Sequence, residues 1–426
     1  MERYDLIIIG GGPAGYAATV SACEAGMKVA VIEKERIGGV CVNFGCIPTK
    51  ALLRFAELRK EGQDISFREA VERSKAIAKS RSERILELVK SLGGRYVKDT
   101  VRKVEKGRVT LASGDVIEGT YILIATGSTA RRLPFAEYDG SHIVTSREAL
   151  ELDTVPESAV VIGTGATGIE LATVWSRFGA QVTVLEMMPN IMGFDDSEMS
   201  KEAVAAYEGQ GIRIRTGATV TGAKTEGEQA VVTFTDAEGE NTLTADRVLV
   251  AAGIVPSSLD MGLEELGMDI RKGCICVDDE MRTSIPGIYA AGDVTGKFAL
   301  AYVSSKQGKA AVDSMTGHPA DPIDYLMTPR CIFSAIEGAF AGPNEKQAAD
   351  AGRKVICKKV PLISFNGNYV GEAAGMAKIV AEEGTEKALG VSIMGPDAAE
   401  YIAAPANMIR RGASLHEIAD VLMSGR

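Results

Sequence analysis

Two stretches of the chain repeat one pattern: an apolar strand, a glycine turn, a helix of small residues, and a second strand ending in glutamate. The first is YDLIIIGGGPAGYAATVSACEAGMKVAVIEK, with Gly10, Gly12 and Gly15 in the turn and Glu33 at the strand end. The second is SAVVIGTGATGIELATVWSRFGAQVTVLEMMP, with Gly163, Gly165, Gly168 and Glu186 in the matching places. In a G-x-G-x-x-G turn the glycines serve a tight turn, backbone approach to a pyrophosphate, and close helix–strand packing. The helix N-terminus adds free N–H groups and a positive dipole end for the phosphates. An acid about 20 residues on holds ribose hydroxyls. Two complete units predict an α/β chain with two Rossmann-like domains, and two dinucleotides or one dinucleotide and a relic. Glu186 favours NAD over NADP, because a carboxylate repels a 2′-phosphate and no arginine follows closely to receive one.

The 426 residues suffice for two to four domains. A net charge of −10 argues against nucleic acid as a partner, since phosphate binding calls for a basic face. No apolar run approaches the roughly 20 residues that span a bilayer. The opening MERYDLIIIGGG is a poor signal peptide and reads better as a strand entering a turn. The seven cysteines, an odd number in a long chain, do not resemble a secreted disulfide framework. A cytoplasmic protein without membrane contact is the expectation.

Between the strand ending at Glu33 and the next helical stretch lies GGVCVNFGCIPTK, with Cys41 and Cys46 five positions apart. A structural zinc site wants four ligands in paired short spacings. The other cysteines (Cys23, Cys274, Cys276, Cys331 and Cys357) form no second cluster, and there are three histidines. No metal is expected. In a regular helix, residues five apart lie roughly 8–9 Å apart, beyond the reach of a disulfide at under about 7 Å. Gly45 permits a distorted backbone that would close the gap. Two readings stand on these residues alone: a pair of buried thiols, or a reducible bridge.

The motif GGVCVNFGCIPTKALL, following a flavin-type glycine turn, resembles the active-site segment of the flavoprotein disulfide reductases. Within that family GCIPTKALL is most similar to the dihydrolipoamide dehydrogenase branch. The similarity continues in YILIATGS, VLVAAGIVPSS, TSIPGIYAAGDVTG, YLMTPRCIFSAIEGAFAG and LGVSIMGPDAAEYI. The resemblance implies FAD in the first site and NAD in the second, with Cys41 and Cys46 as a redox-active disulfide. It implies that Cys46 lies nearer the flavin and that Cys41 exchanges with a lipoamide-like dithiol substrate. Lys50 matches a lysine beside the reactive flavin nitrogen, and Glu170 the glutamate that pairs with it, a fixed charge of the kind that stabilises developing negative charge. For FAD the resemblance implies contacts from Gly10, Gly12, Pro13, Ala14, Gly15, Glu33, Lys34, Gly39, Val40, Lys50, Thr126, Gly127 and Asp293. For NAD it implies Gly163, Gly165, Gly168, Glu186 and Gly253.

The implied organisation is an FAD-binding domain at 1–140 with a helical insert at 50–92, and an NAD-binding domain at 141–255. A central FAD-contacting segment at 256–320 and a C-terminal α+β dimerisation domain at 321–426 follow. The family forms homodimers with each site built from both subunits, and a lipoyl-carrier protein is a further implied partner. Some residues depart from the family. Ile254 stands where an arginine is frequent, Ala166 leaves little bulk beside the nicotinamide site, and AIEGAFAG lacks a proline before its glutamate. The family's His-Pro-x-x-x-Glu segment is expected just where the chain stops at Arg426. None of His142, His318 and His416 is expected to replace that base, and His416 reads as an exposed helix residue. The alternatives are then a base beyond Arg426, another base or the thiols alone, or NADH–flavin transfer without disulfide turnover. A reductase of another disulfide, a diaphorase and a cofactor-binding electron-transfer subunit are the competing functions.

Overall fold

The computed structural model describes residues 2–194, 196–364 and 372–424. The chain divides into two compact units, each discontinuous in sequence.

The first unit comprises Met1–Ala51, Val71–Arg131 and Ile254–Tyr325. Its centre is β1 (Arg3–Ile9), whose apolar run Leu6–Ile9 is buried on both faces. Such a run suits a parallel strand with neighbours on either side, and β1 pairs in parallel with β2 (Val29–Glu33) and β6 (Val116–Ile124). β3 (Arg95–Lys98) extends the sheet beyond β2, while β4 (Val101–Glu105) and β5 (Arg108–Leu111) lie beyond β6. Strand alternation sends Ile7, Ile9, Ile32, Ile122 and Ile124 into one core and Leu6, Ile8, Val29, Val31 and Leu123 into another. The second core is closed by α1 (Pro13–Glu24) through Ala14, Ala18 and Ala22 and by the helix Ala301–Met315. Small residues let these helices approach closely: a Cβ at Gly308 would strike the Ala14 carbonyl. The strand Ile288–Ala290 returns from far along the chain to pair in parallel with β6.

Around the cysteines the chain forms α2 (Gly39–Phe44) and α3 (Cys46–Lys60), followed by α4 (Phe67–Ser91). Over 50–92 the chain is therefore helical in two pieces.

The second unit comprises Leu52–Ala70, Arg132–Gly253 and Leu326–Arg426. It repeats the parallel arrangement, with Ser158–Ile162 between Gln181–Glu186 and Arg247–Val250. An antiparallel meander (Thr219–Glu226, Gln229–Asp236, Gly239–Ala245) packs Val232 and Phe234 into a core shared with Val160 and Ile162. The C-terminal part is a five-stranded antiparallel sheet. Its apolar face (Ala377, Ile379, Val391, Ile393) is covered by helices Ala403–Arg410 and Leu415–Met423.

On the strand Glu372–Glu382, alternation puts Lys378 on the face opposite Ile379, where it is 8% exposed. It ion-pairs with Asp196 and with Glu345, each at 2.6 Å. Asp196 also caps the helix Ser197–Glu208 by accepting from the N–H groups of Glu198 and Met199. Burial pushes its carboxyl up, but Lys378, the Met199 N–H and Lys359 together bring it down to about 2. A carboxyl held below its ordinary value stabilises the fold above that value and loses this contribution as pH falls through the folded one. Lys378→Met leaves Glu345 without its cation and Asp196 with Lys359 alone, and is expected to cost about 3 kcal/mol. In urea unfolding it should also reduce the stability that Asp196 loses as pH falls from 3.8 to about 2, with the part due to the Met199 N–H and Lys359 remaining.

Candidate active site

Gly10 and Gly163 open the two glycine turns with φ of 102° and 104°, a left-handed conformation that glycine adopts without strain. Each turn then folds onto itself. A Cβ at Gly15 would strike the carbonyl oxygen of Gly10, and one at Gly168 that of Gly163. The middle glycines differ. At Gly165 a Cβ would meet nothing within 4 Å, and at Gly12 only Gly39 Cα at 3.8 Å. The protein's own packing therefore explains the first and third glycines of each turn, and approach by a ligand explains the second. The helices starting after Gly12 and Gly165 carry no side-chain cap, so both present N–H groups suited to a pyrophosphate. This cradle fits a dinucleotide in each unit.

The strand-end acids are wired alike. Glu33 accepts from the Gly11 N–H and from the Glu35 N–H, both at 2.8 Å. Glu186 accepts from the Thr164 N–H at 2.9 Å, the Thr164 hydroxyl at 2.7 Å and the Met188 N–H at 2.8 Å. Each carboxylate is thus fixed beside its glycine turn by the residue between the first two glycines. Lone pairs left over after these bonds can accept from ribose hydroxyls.

Cys41 and Cys46 form a disulfide with Cα atoms 4.6 Å apart. The approach is possible because the helix is broken between them: α2 ends at Phe44, and Gly45 takes φ −152° and ψ −111°. A Cβ at Gly45 would come within 3.1 Å of the Val40 carbonyl oxygen. Cys46 is the first residue of α3, so its sulfur sits at a helix N-terminus, which favours the thiolate. Cys46 is exposed and Cys41 half-buried. Lys50 follows Cys46 by one helical turn on the same face of α3.

The segment before the bridge is held against the first glycine turn. The Gly38 N–H donates to the Gly11 carbonyl at 2.7 Å, and a Cβ at Gly39 would press on Gly12 Cα. Asn43 Nδ2 donates to the carbonyls of Arg36, Ile37 and Gly39 at 3.3, 3.1 and 3.0 Å. The redox pair is thereby tied to the pyrophosphate cradle by backbone and one amide. Val40 in this segment is 54% exposed.

Further along the first unit, Asp293 begins a short 3₁₀ turn, Asp293–Thr295. Its carboxylate accepts from the Ser128 hydroxyl at 2.7 Å and from the Ser304 hydroxyl at 3.4 Å. The Gly292 N–H donates to Gln307 Oε1 at 2.7 Å. Thr126 and Gly127 lie beside it, with the Thr126 hydroxyl donating to the Ser257 carbonyl at 2.6 Å and the Ser257 N–H donating to the Gly127 carbonyl at 2.9 Å. Asn43, Ser128, Ser304 and Gln307 were not among the residues picked from sequence. Asn43 and Ser128 lie inside recognised motifs, whereas Gln307 carries no local signal.

In the second unit, Glu170 is 2% exposed on the helix Ala166–Arg177 and accepts from the Phe333 N–H at 3.0 Å. Gly253 follows the strand Arg247–Val250 with φ 102°, and Gly163 packs on the neighbouring Ala251 carbonyl. Two histidines lie outside helices and strands: His142 Nδ1 lies 3.0 Å from Asp139, and His318 Nδ1 2.9 Å from the Thr316 hydroxyl. His416 is 63% exposed and lies 3.5 Å from Glu386. Its neighbour Glu417 is engaged in a capping box with Ser414.

Residues 4–308 match the pyridine nucleotide-disulphide oxidoreductase family, and residues 328–424 match that family's dimerisation domain. The chain belongs to this family, a class of FAD- and NAD-dependent disulfide oxidoreductases, as the cysteine motif implied. It is 36% identical to a dihydrolipoyl dehydrogenase of Chlorobaculum tepidum over 94% of this chain and 89% of that one. It is 34% identical to a leghemoglobin reductase of Glycine max, over 99% of this chain and 84% of that one. Among solved structures, LpdA from Mycobacterium tuberculosis superimposes with a TM-score of 0.87 at 28% identity, covering 98% of this chain and 95% of that one. Among the described residues no helix is long and apolar enough to cross a membrane.

Proposed function

We propose that the chain is a lipoamide-type disulfide oxidoreductase, moving an electron pair between NAD(H) and a dithiol substrate through Cys41 and Cys46. The observation that carries this reading is the closed bridge across the break at Gly45, tied to the first glycine turn. In the dithiol-oxidising direction, a substrate thiolate attacks Cys41 sulfur, a mixed disulfide forms, and Cys46 leaves as a thiolate. The helix N-terminus at Cys46 stabilises that leaving group, which speeds exchange. The second substrate thiol then displaces Cys41, closing the substrate disulfide and leaving both cysteines reduced. FAD held at the first glycine turn would supply the two-electron carrier between these thiols and NAD.

Lys50 supplies a cation one turn from Cys46, and Glu170 is read as its carboxylate partner. Asp293, Thr126 and Gly127 hold the first dinucleotide together with Pro13, Ala14, Lys34, Gly39 and Val40. Glu186 selects the NAD ribose. A homodimer, a lipoyl-carrier partner and a cytoplasmic setting belong to the same reading.

Anaerobic addition of NADH to the FAD-loaded protein should expose two alkylatable thiols, located by mass spectrometry at Cys41 and Cys46. Flavin reduction with no new thiols would sink the proposal. The likeness to leghemoglobin reductases favours one second reading, reduction of a non-disulfide acceptor. Rates of NAD reduction by dihydrolipoamide against rates of haem-protein or dye reduction by NADH separate the two.

A further inference from the structure

The first unit carries another close cysteine pair, Cys274 and Cys276, neither of them disulfide-bonded. Cys274 lies on a short antiparallel ladder in which it faces Arg271 and Ile270 faces Ile275, and Cys276 follows that strand directly. The Cys276 N–H extends it, donating to the Asp269 carbonyl at 2.9 Å. Ile275 is fully buried and both cysteines are half-buried, so alternation puts the two cysteines on one face, where Cys274 Sγ also packs against Gly296. Cross-strand pairing brings Arg271 and Asp269 to the same face. The Arg271 guanidinium donates to Asp269 at 2.8 Å.

Spacing decides what such a pair can take. Residues two apart on a strand have Cα atoms about 6.6–6.8 Å apart, the outer limit for a disulfide. A metal ion set between the sulfurs relieves this, because two metal–sulfur bonds of about 2.3 Å each span the gap. Zinc wants four ligands, and among the described residues no group of three or more His, Cys, Asp or Glu side chains is placed to hold a metal. Soft cations that accept two thiolates remain, Cu(I) foremost.

We infer that Cys274 and Cys276 form a two-thiolate site for a soft monovalent cation of the Cu(I) type. Binding forms two metal–sulfur bonds and releases two thiol protons, with no change of oxidation state. Arg271 offsets the negative charge of the resulting complex.

In the oxidised enzyme Cys41 and Cys46 are bound to each other, so soft-cation binding reports on the other cysteines. Anaerobic titration of oxidised, FAD-loaded protein with Cu(I), in competition with a chromophoric chelator, is expected to show one tight equivalent per chain. Cys274→Ser or Cys276→Ser should weaken it at least about 100-fold, since the second thiolate acts at high effective concentration. Cys357→Ser, at the exposed lone thiol, should leave it unchanged. Alkylation of the unmodified chain needs no variant: bound Cu(I) should shield Cys274 and Cys276 together. No tight equivalent, wild-type affinity in both serine variants, or shielding of one cysteine alone overturns the inference.

Discussion

Cys46→Ser is expected to lower NAD-linked oxidation of dihydrolipoamide by at least about 10⁴-fold, the scale of losing a group on which a covalent step depends. The same variant should still reduce small dyes from NADH, because both glycine turns and both strand-end acids are untouched. The loss should fall on kcat, since no part of either dinucleotide cradle is altered. Turnover with dihydrolipoamide within tenfold of wild type would remove Cys46 from the electron path. Serine keeps the start of α3, and the bridge it removes closes a loop of sequence separation only 5, so in a chain of this size the thermal midpoint should fall by no more than about 3 °C.

Gly15→Ala is expected to abolish flavin retention and to destabilise the chain by about 4 kcal/mol or more, in the range reserved for forced overlaps in a packed interior. The added methyl would enter the Gly10 carbonyl oxygen and press on Ile8 at 3.3 Å, between β1 and α1 at the centre of the first unit. Neither neighbour can yield: Ile8 is fully buried, and Gly10 is held by its N–H bond to the Ile32 carbonyl at 2.8 Å. Flavin absorbance per chain and the thermal midpoint check it together. An alanine variant that keeps its full flavin and its midpoint would show that the turn has more room than this packing allows.

Much of this was legible in the residues. The apolar runs Leu6–Ile9 and Val29–Ile32 fix buried parallel strands, and the glycines between them leave few conformations for the turn. The second unit is legible for the same reason. The bridge was legible only as a permission: Gly45 allowed the break in the helix, and the family resemblance decided between a bridge and two thiols. What local sequence could not show is the return of Ile288–Ala290 to β6, because pairing between strands far apart leaves no periodic trace. Ser128, Ser304 and Gln307 meet the Asp293 turn only through that return. The Lys378 cluster was hidden likewise, since Asp196, Glu345 and Lys378 come from three separate stretches.

The middle glycines of the two turns offer independent control of the two halves of the electron circuit. Gly12 and Gly165 have φ of −71° and −63°, values any residue tolerates, and neither has protein atoms crowding its missing side chain. One methyl at either position would thus act as a plug in the seat of one nucleotide while sparing the fold. Alanine at Gly12 would disconnect the flavin and alanine at Gly165 the pyridine nucleotide. The second variant would retain flavin and remain reducible by dithiols, a chain wired at one end only.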